Sequence, residues 1–77
     1  MKKNNYDDLY NTIGLNIKKY RKKKGYTQKE LSEALLLSES FIAKLESKTH
    51  QTISIDTLAM IADHLNVDIK KFFDKKK

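Results

Sequence analysis

Residues 27–46 read Thr27-Gln28-Lys29-Glu30-Leu31-Ser32-Glu33-Ala34-Leu35-Leu36-Leu37-Ser38-Glu39-Ser40-Phe41-Ile42-Ala43-Lys44-Leu45-Glu46. Thr27 followed three residues later by Glu30 is a capping box. The hydroxyl accepts from the amide of Glu30, and the carboxylate reaches back to the amide of Thr27. The box opens a short helix with Leu31, Ala34 and Leu35 on its inner side. Ser38 is the next N-cap. Behind it Ile42 and Leu45 mark the inner face of another short helix, ending near Ser47. Only a few residues separate the two, so they must cross steeply, and a second helix of this kind can enter a DNA major groove.

The flanking sequence continues the helical period. Upstream, Leu9, Ile13, Ile17 and Tyr20 recur every three or four residues, which predicts a helix from about Asp7 to Lys24. Gly25 fits the left-handed residue just beyond its end. Downstream, Lys48 to Ile53 has no period and reads as a loop. Ser54 caps a fourth helix with Leu58, Ile61, Ala62 and Leu65 inside, and Asn66 fits its left-handed C-terminal position. Asp68 opens a last short helix carrying Ile69, Phe72 and Phe73. The expectation is an all-α, five-helix domain over residues 9–74. Residues 1–8 are expected to form a flexible basic tail and 75–77 a lysine tail. Met1 reads as a true start.

Composition narrows the function. The 77 residues contain no Cys, Pro or Trp and two Gly. Disulfides and thiolate metal sites are therefore excluded, and a reducing, cytoplasmic setting fits. No apolar run is long enough for a membrane span or a signal-peptide core. The net charge is +6, which suits a polyanionic partner. The charge is uneven. Residues 1–25 hold eight Lys or Arg and two Asp, whereas 26–55 hold three Lys and four Glu. Residues 18–24 place six cations in seven positions. That run reads either as a solvated helix end opposing the helix dipole or as a phosphate-facing patch. A basic amphipathic membrane binder is disfavoured, because the apolar face of that helix is needed for the core. Enzymatic chemistry has little to draw on. His50 and His64 are the only histidines, the carboxylates are dispersed, and no Gly-rich phosphate loop is present. No cofactor, metal or small-molecule substrate is expected.

From Ile13 to Phe73, about 60 of the 77 residues, the chain resembles the phage-repressor helix-turn-helix family of the lambda Cro/C1, or XRE, type. The resemblance rests on Ile13-Gly14, Arg21 through Gly25, Tyr26 through Ser32, Ser38 through Glu46, and Leu58 through Ala62 leading to Leu65-Asn66-Val67. It implies a compact lambda-repressor-like domain that binds double-stranded DNA as a transcriptional regulator, a repressor by preference. The expected form is a homodimer on a two-fold symmetric operator. It also assigns roles. Thr27 and Gln28 open the helix that touches a DNA phosphate, with Gln28 bracing the recognition helix. Glu39, Ser40, Ala43 and Lys44 face base edges, with Ser40 able to serve either base or phosphate, and the capping Ser38 belongs to the same DNA-contacting set. Lys44 would donate to guanine and Glu39 would accept from a cytosine amine. Phe41 points outward in this pattern and either meets thymine methyls or fills a contact with the loop. Arg21 and Glu46 match a structural ion pair. Lys48, Thr49, His50 and Gln51 fall in the loop along the DNA backbone, and Lys22 and Lys23 add phosphate attraction. Phe72 and Phe73 offer a dimer surface, with one of the two free to enter the core.

Three features depart from the family pattern. Leu36 stands where Gly is usual, and a left-handed backbone at such a residue costs about 1–2 kcal/mol. Ser47-Lys48-Thr49 replaces a Gly-containing turn. The expected reading segment is slightly acidic, with the charges of Glu33 and Glu39 left unneutralised. The acidic segment and the outward Phe41 favour a second function class: a protein-interaction module or antitoxin-type regulator that keeps the fold with weak or no DNA binding.

Overall fold

A computed structural model of the chain describes residues 6–47 and 51–75. Four α-helices run in order: α1 Tyr6–Lys23, α2 Gln28–Leu35, α3 Glu39–Glu46 and α4 Ile55–Leu65. The fifth element, Ile69–Phe73, is a 3₁₀ helix rather than an α-helix. It is a short terminal element, the setting in which the tighter 3₁₀ winding is used. No strand occurs among the described residues. Helix α1 takes in Tyr6 to Asp8, so its first turn lies inside the stretch expected to be tail, and Asp8 forms an ion pair with Lys75.

The predicted caps explain the boundaries. The Thr27 hydroxyl accepts from Glu30 N at 3.0 Å, and Glu30 Oε1 accepts from Thr27 N at 2.9 Å. Ser38 accepts from Phe41 N and Ser54 from Thr57 N. Asp68 accepts from Lys70 N. Gly25, Leu36 and Asn66 are all left-handed. After each, the next residue's amide reaches back into the helix: Tyr26 N to Arg21 O, Leu37 N to Ser32 O and Val67 N to Ala62 O. Three helices thus stop by the same reverse turn.

Leu36 adopts this geometry at φ 58° and its side chain is 93 % exposed. It carries the strain of the left-handed backbone without gaining packing inside the chain. Leu36→Gly is therefore expected to raise stability by about 0.5–1 kcal/mol, the strain relieved less the entropy glycine adds to the unfolded chain. Urea denaturation checks this. A lower midpoint would mean that the leucine makes stabilising contacts.

The core contains Ile13, Ile17, Leu31, Ile42, Leu45, Leu58, Ile61, Ala62, Leu65 and Phe72. Two inner faces differ from expectation. Leu9 is 41 % exposed, and Tyr10 packs on the core instead. The stripe on α1 turns toward the side carrying Gly14 and Arg21, where α3 crosses. On α2, Ala34 is exposed and Ser32 is buried. The Ser32 hydroxyl donates to Lys29 O at 2.8 Å, so its polarity costs little inside. Phe72 is fully buried, which removes it from any dimer surface. Phe73, about 120° further round the 3₁₀ turn, stays 40 % exposed.

Two polar or small residues of α1 set how the elements meet. Buried Asn16 donates from Nδ2 to Phe72 O and to Asp74 O, both at 2.8 Å, tying the 3₁₀ helix to α1. Gly14 lies directly against α3. A Cβ on Gly14 would sit 1.8 Å from the Leu45 carbonyl oxygen. The two backbones therefore touch, and only hydrogen fits between them.

Candidate nucleic-acid interface

Two anchors fix α3 on the body. One is the Gly14 contact. The other is a buried polar cluster in which Arg21 Nε and Nη2 donate to the two Glu46 carboxylate oxygens at 2.7 and 2.9 Å. Arg21 Nη1 donates to Tyr26 O at 2.6 Å, and Gln28 Nε2 donates to Glu46 Oε1 at 3.0 Å. One carboxylate thus joins α1, the start of α2 and the end of α3. No buried side-chain nitrogen or oxygen lacks a partner among the described residues. A pair so satisfied fixes orientation, while its net stabilisation is offset by desolvation.

The anchored face of α3 is Ile42, Leu45 and Glu46. The opposite face turns outward: Glu39, Ser40 and Lys44 are exposed and Ala43 is half-buried. Ser38 is exposed, with its hydroxyl engaged as the cap. Thr27 is exposed at the start of α2, and Gln28 is half-buried through its bond to Glu46. The first amides of both helices point out of their N-termini, where the helix dipole favours phosphate.

Not every candidate joins this face. Phe41 is half-buried and packs against the core, so it is a packing residue before it is a reading one. Lys22 is exposed on α1. Lys23 turns the other way: its ammonium lies 5.7 Å from the Tyr20 ring centre and it lines a cleft with residues of the 3₁₀ helix. The basic run is therefore split: Arg21 faces α3 through Glu46, whereas Lys23 lies by Tyr20. Gln51 is half-buried and donates to Thr52 O at 3.1 Å. Lys48, Thr49 and His50 lie outside the described residues.

Sequence reasoning missed Asn16 and the backbone contact of Gly14. A polar residue inside an apolar stripe signals Asn16. Nothing local distinguishes Gly14 from a helix-weakening glycine.

Among the described residues no His, Cys, Asp or Glu cluster is placed to hold a metal ion, and no helix is long and apolar enough to cross a membrane. Two short helices joined by a tight turn, the second braced at one face and solvent-exposed at the other, define a helix-turn-helix domain. Residues 17–72 match the helix-turn-helix family, and the chain belongs to that family, in its XRE (Cro/C1) branch. The transcriptional regulator SinR of Bacillus subtilis is 34 % identical over 64 residues, 83 % of this chain. The chain spans only 58 % of that relative's length. A crystal structure of the master regulator for biofilm formation SinR in complex with DNA is 34 % identical, with a TM-score of 0.75 over 80 % of this chain and 98 % of that one. The N-terminal DNA-binding domain of SinR from Bacillus subtilis gives 33 % identity and a TM-score of 0.77 over 86 % and 96 %.

Proposed function

We propose that this chain binds double-stranded DNA through the outer face of α3 and acts as a transcriptional regulator, a repressor by preference. One observation carries the reading: Glu39, Ser40 and Lys44 stand exposed on a helix whose opposite face is locked down by Gly14, Arg21 and Gln28. Rigid placement matters because base discrimination depends on hydrogen-bond geometry. Gln28 holds Glu46 and lies at the start of α2, so it places a phosphate contact and the reading helix together. The similarity to a regulator crystallised with DNA supports the same assignment. The face itself carries one acid and one base, so it adds little net phosphate attraction. Each phosphate neutralised adds about −0.9 to the slope of log affinity against log salt, and a shallow slope is expected.

One such domain covers a small footprint, and a two-fold symmetric dimer would double it, with half-sites about 10 bp apart. Phe73 is the apolar contact proposed for that dimer. Sedimentation at high concentration with Phe73→Ser tests it.

Selection of bound duplexes from a random pool at two salt concentrations tests the DNA reading. A single motif should emerge. Gln28→Ala should weaken all duplexes about tenfold with no change of preference, whereas Lys44→Ala should alter the preferred base. A pool that yields no motif, or variants without these effects, counts against the reading.

A further inference from the structure

We infer that the side of α1 opposite α3 carries a second recognition site, for an acidic polypeptide segment bearing an apolar side chain. An open cleft of about 400 Å³ lies between the end of α1, the turn after α4 and the 3₁₀ helix. Tyr20 and Val67, both half-buried on the core, supply its apolar floor. Lys23, Lys24 and Lys71 stand around it, contributed by two separate elements. Lys19 adjoins them, with its ammonium 5.2 Å from the Tyr20 ring centre. Asp68 is the acid on the rim, and its carboxylate already accepts from Lys70 N at 3.1 Å.

The chemistry of the rim selects the ligand class. The cations are all lysines, mobile point charges that attract an anionic segment without demanding the bidentate geometry of an arginine fork. The start of the 3₁₀ helix is filled by its own Asp68, so no free nest of backbone amides awaits a phosphate. The cleft is open, whereas small-molecule sites enclose most of their ligand. Its apolar floor asks for an inserted side chain, which a duplex backbone does not present. Asn16 and Tyr20 turn toward the 3₁₀ helix and Gly14 and Arg21 toward α3, so a duplex lying on α3 leaves the cleft uncovered. The assignment does not depend on α3 reading DNA.

The test is an amide-resolved NMR titration of the whole chain with the peptide acetyl-Glu-Glu-Asp-Leu-Glu-Glu-amide, and with its Leu-to-Ser counterpart. Shifts should centre on Tyr20, Val67 and Lys71, leave Ser40 and Lys44 unmoved, and shrink with salt. The Ser peptide should bind about tenfold more weakly. Exposed Lys71→Glu, and separately Lys24→Glu, should each weaken the Leu peptide by a similar factor while the rest of the spectrum confirms the fold. Absence of shifts at millimolar peptide overturns the proposal. So do equal responses to both peptides, or shifts that centre on α3. Tighter binding of a random duplex to the cleft than of the peptide overturns it in favour of nucleic acid.

Discussion

Gly14→Ala should lower the unfolding free energy by about 3 kcal/mol and displace α3. The added carbon would fall 1.8 Å from the Leu45 carbonyl oxygen, and backbone cannot swing aside as a side-chain tip does. Alanine favours a helix by about 1 kcal/mol over glycine, so an unhindered position would gain stability. The sign of the change therefore isolates the contact. Gly25→Ala is the control. Its φ is +84° and nothing lies within 4 Å of the new carbon. Its cost should be the left-handed strain alone, about 1–2 kcal/mol, with α3 unmoved. Urea denaturation gives the energies, and amide shifts along α3 give the displacement. A Gly14→Ala protein as stable as the parent would contradict the close crossing.

Glu46→Ala should cost about 4 kcal/mol. It removes the carboxylate that accepts from Arg21 at 2.7 and 2.9 Å and from Gln28 at 3.0 Å, and it leaves a guanidinium stranded in the interior. A chain of this size has about 5–10 kcal/mol in all, so the single variant should lose roughly half of its stability and melt at a much lower temperature. The double variant Arg21→Met with Glu46→Leu should recover most of that loss, because matched apolar replacement of a buried pair is often neutral. Its DNA affinity should stay reduced, since Gln28 no longer has a partner on α3. Stability and binding would then separate, as expected of a cluster that orients more than it stabilises. A cost below about 1 kcal/mol for the single variant would mark the pair as solvated.

The fold was legible where local rules act alone. Thr27 with Glu30, Ser38, Ser54 and Asp68 announce helix starts because a short polar side chain satisfies amides within its own turn. Gly25 and Asn66 announce ends for a similar local reason. Leu36 does not, since a leucine in the left-handed region defies propensity and only the surrounding turn explains it. The packing faces were legible to within a residue. Leu9 and Ala34 were misassigned because a period identifies a stripe but not which neighbour covers its edge. Tertiary partners stayed hidden: Asn16 acts through carbonyls 56 and 58 residues away. The Arg21–Glu46 pair came from family resemblance rather than from spacing. The split of the basic run between the α3 side and the cleft of Tyr20 required the position of the 3₁₀ helix, which no local pattern encodes.

The most direct measurement is an amide shift map of the chain bound to its best selected duplex. The largest changes should fall on Gln28 and on Ser38 through Lys44, with Ile61, Leu65 and Val67 nearly still. A map centred on Lys19 through Lys24 and Val67 through Lys71, with α3 silent, would contradict the assignment of α3 as the reading helix.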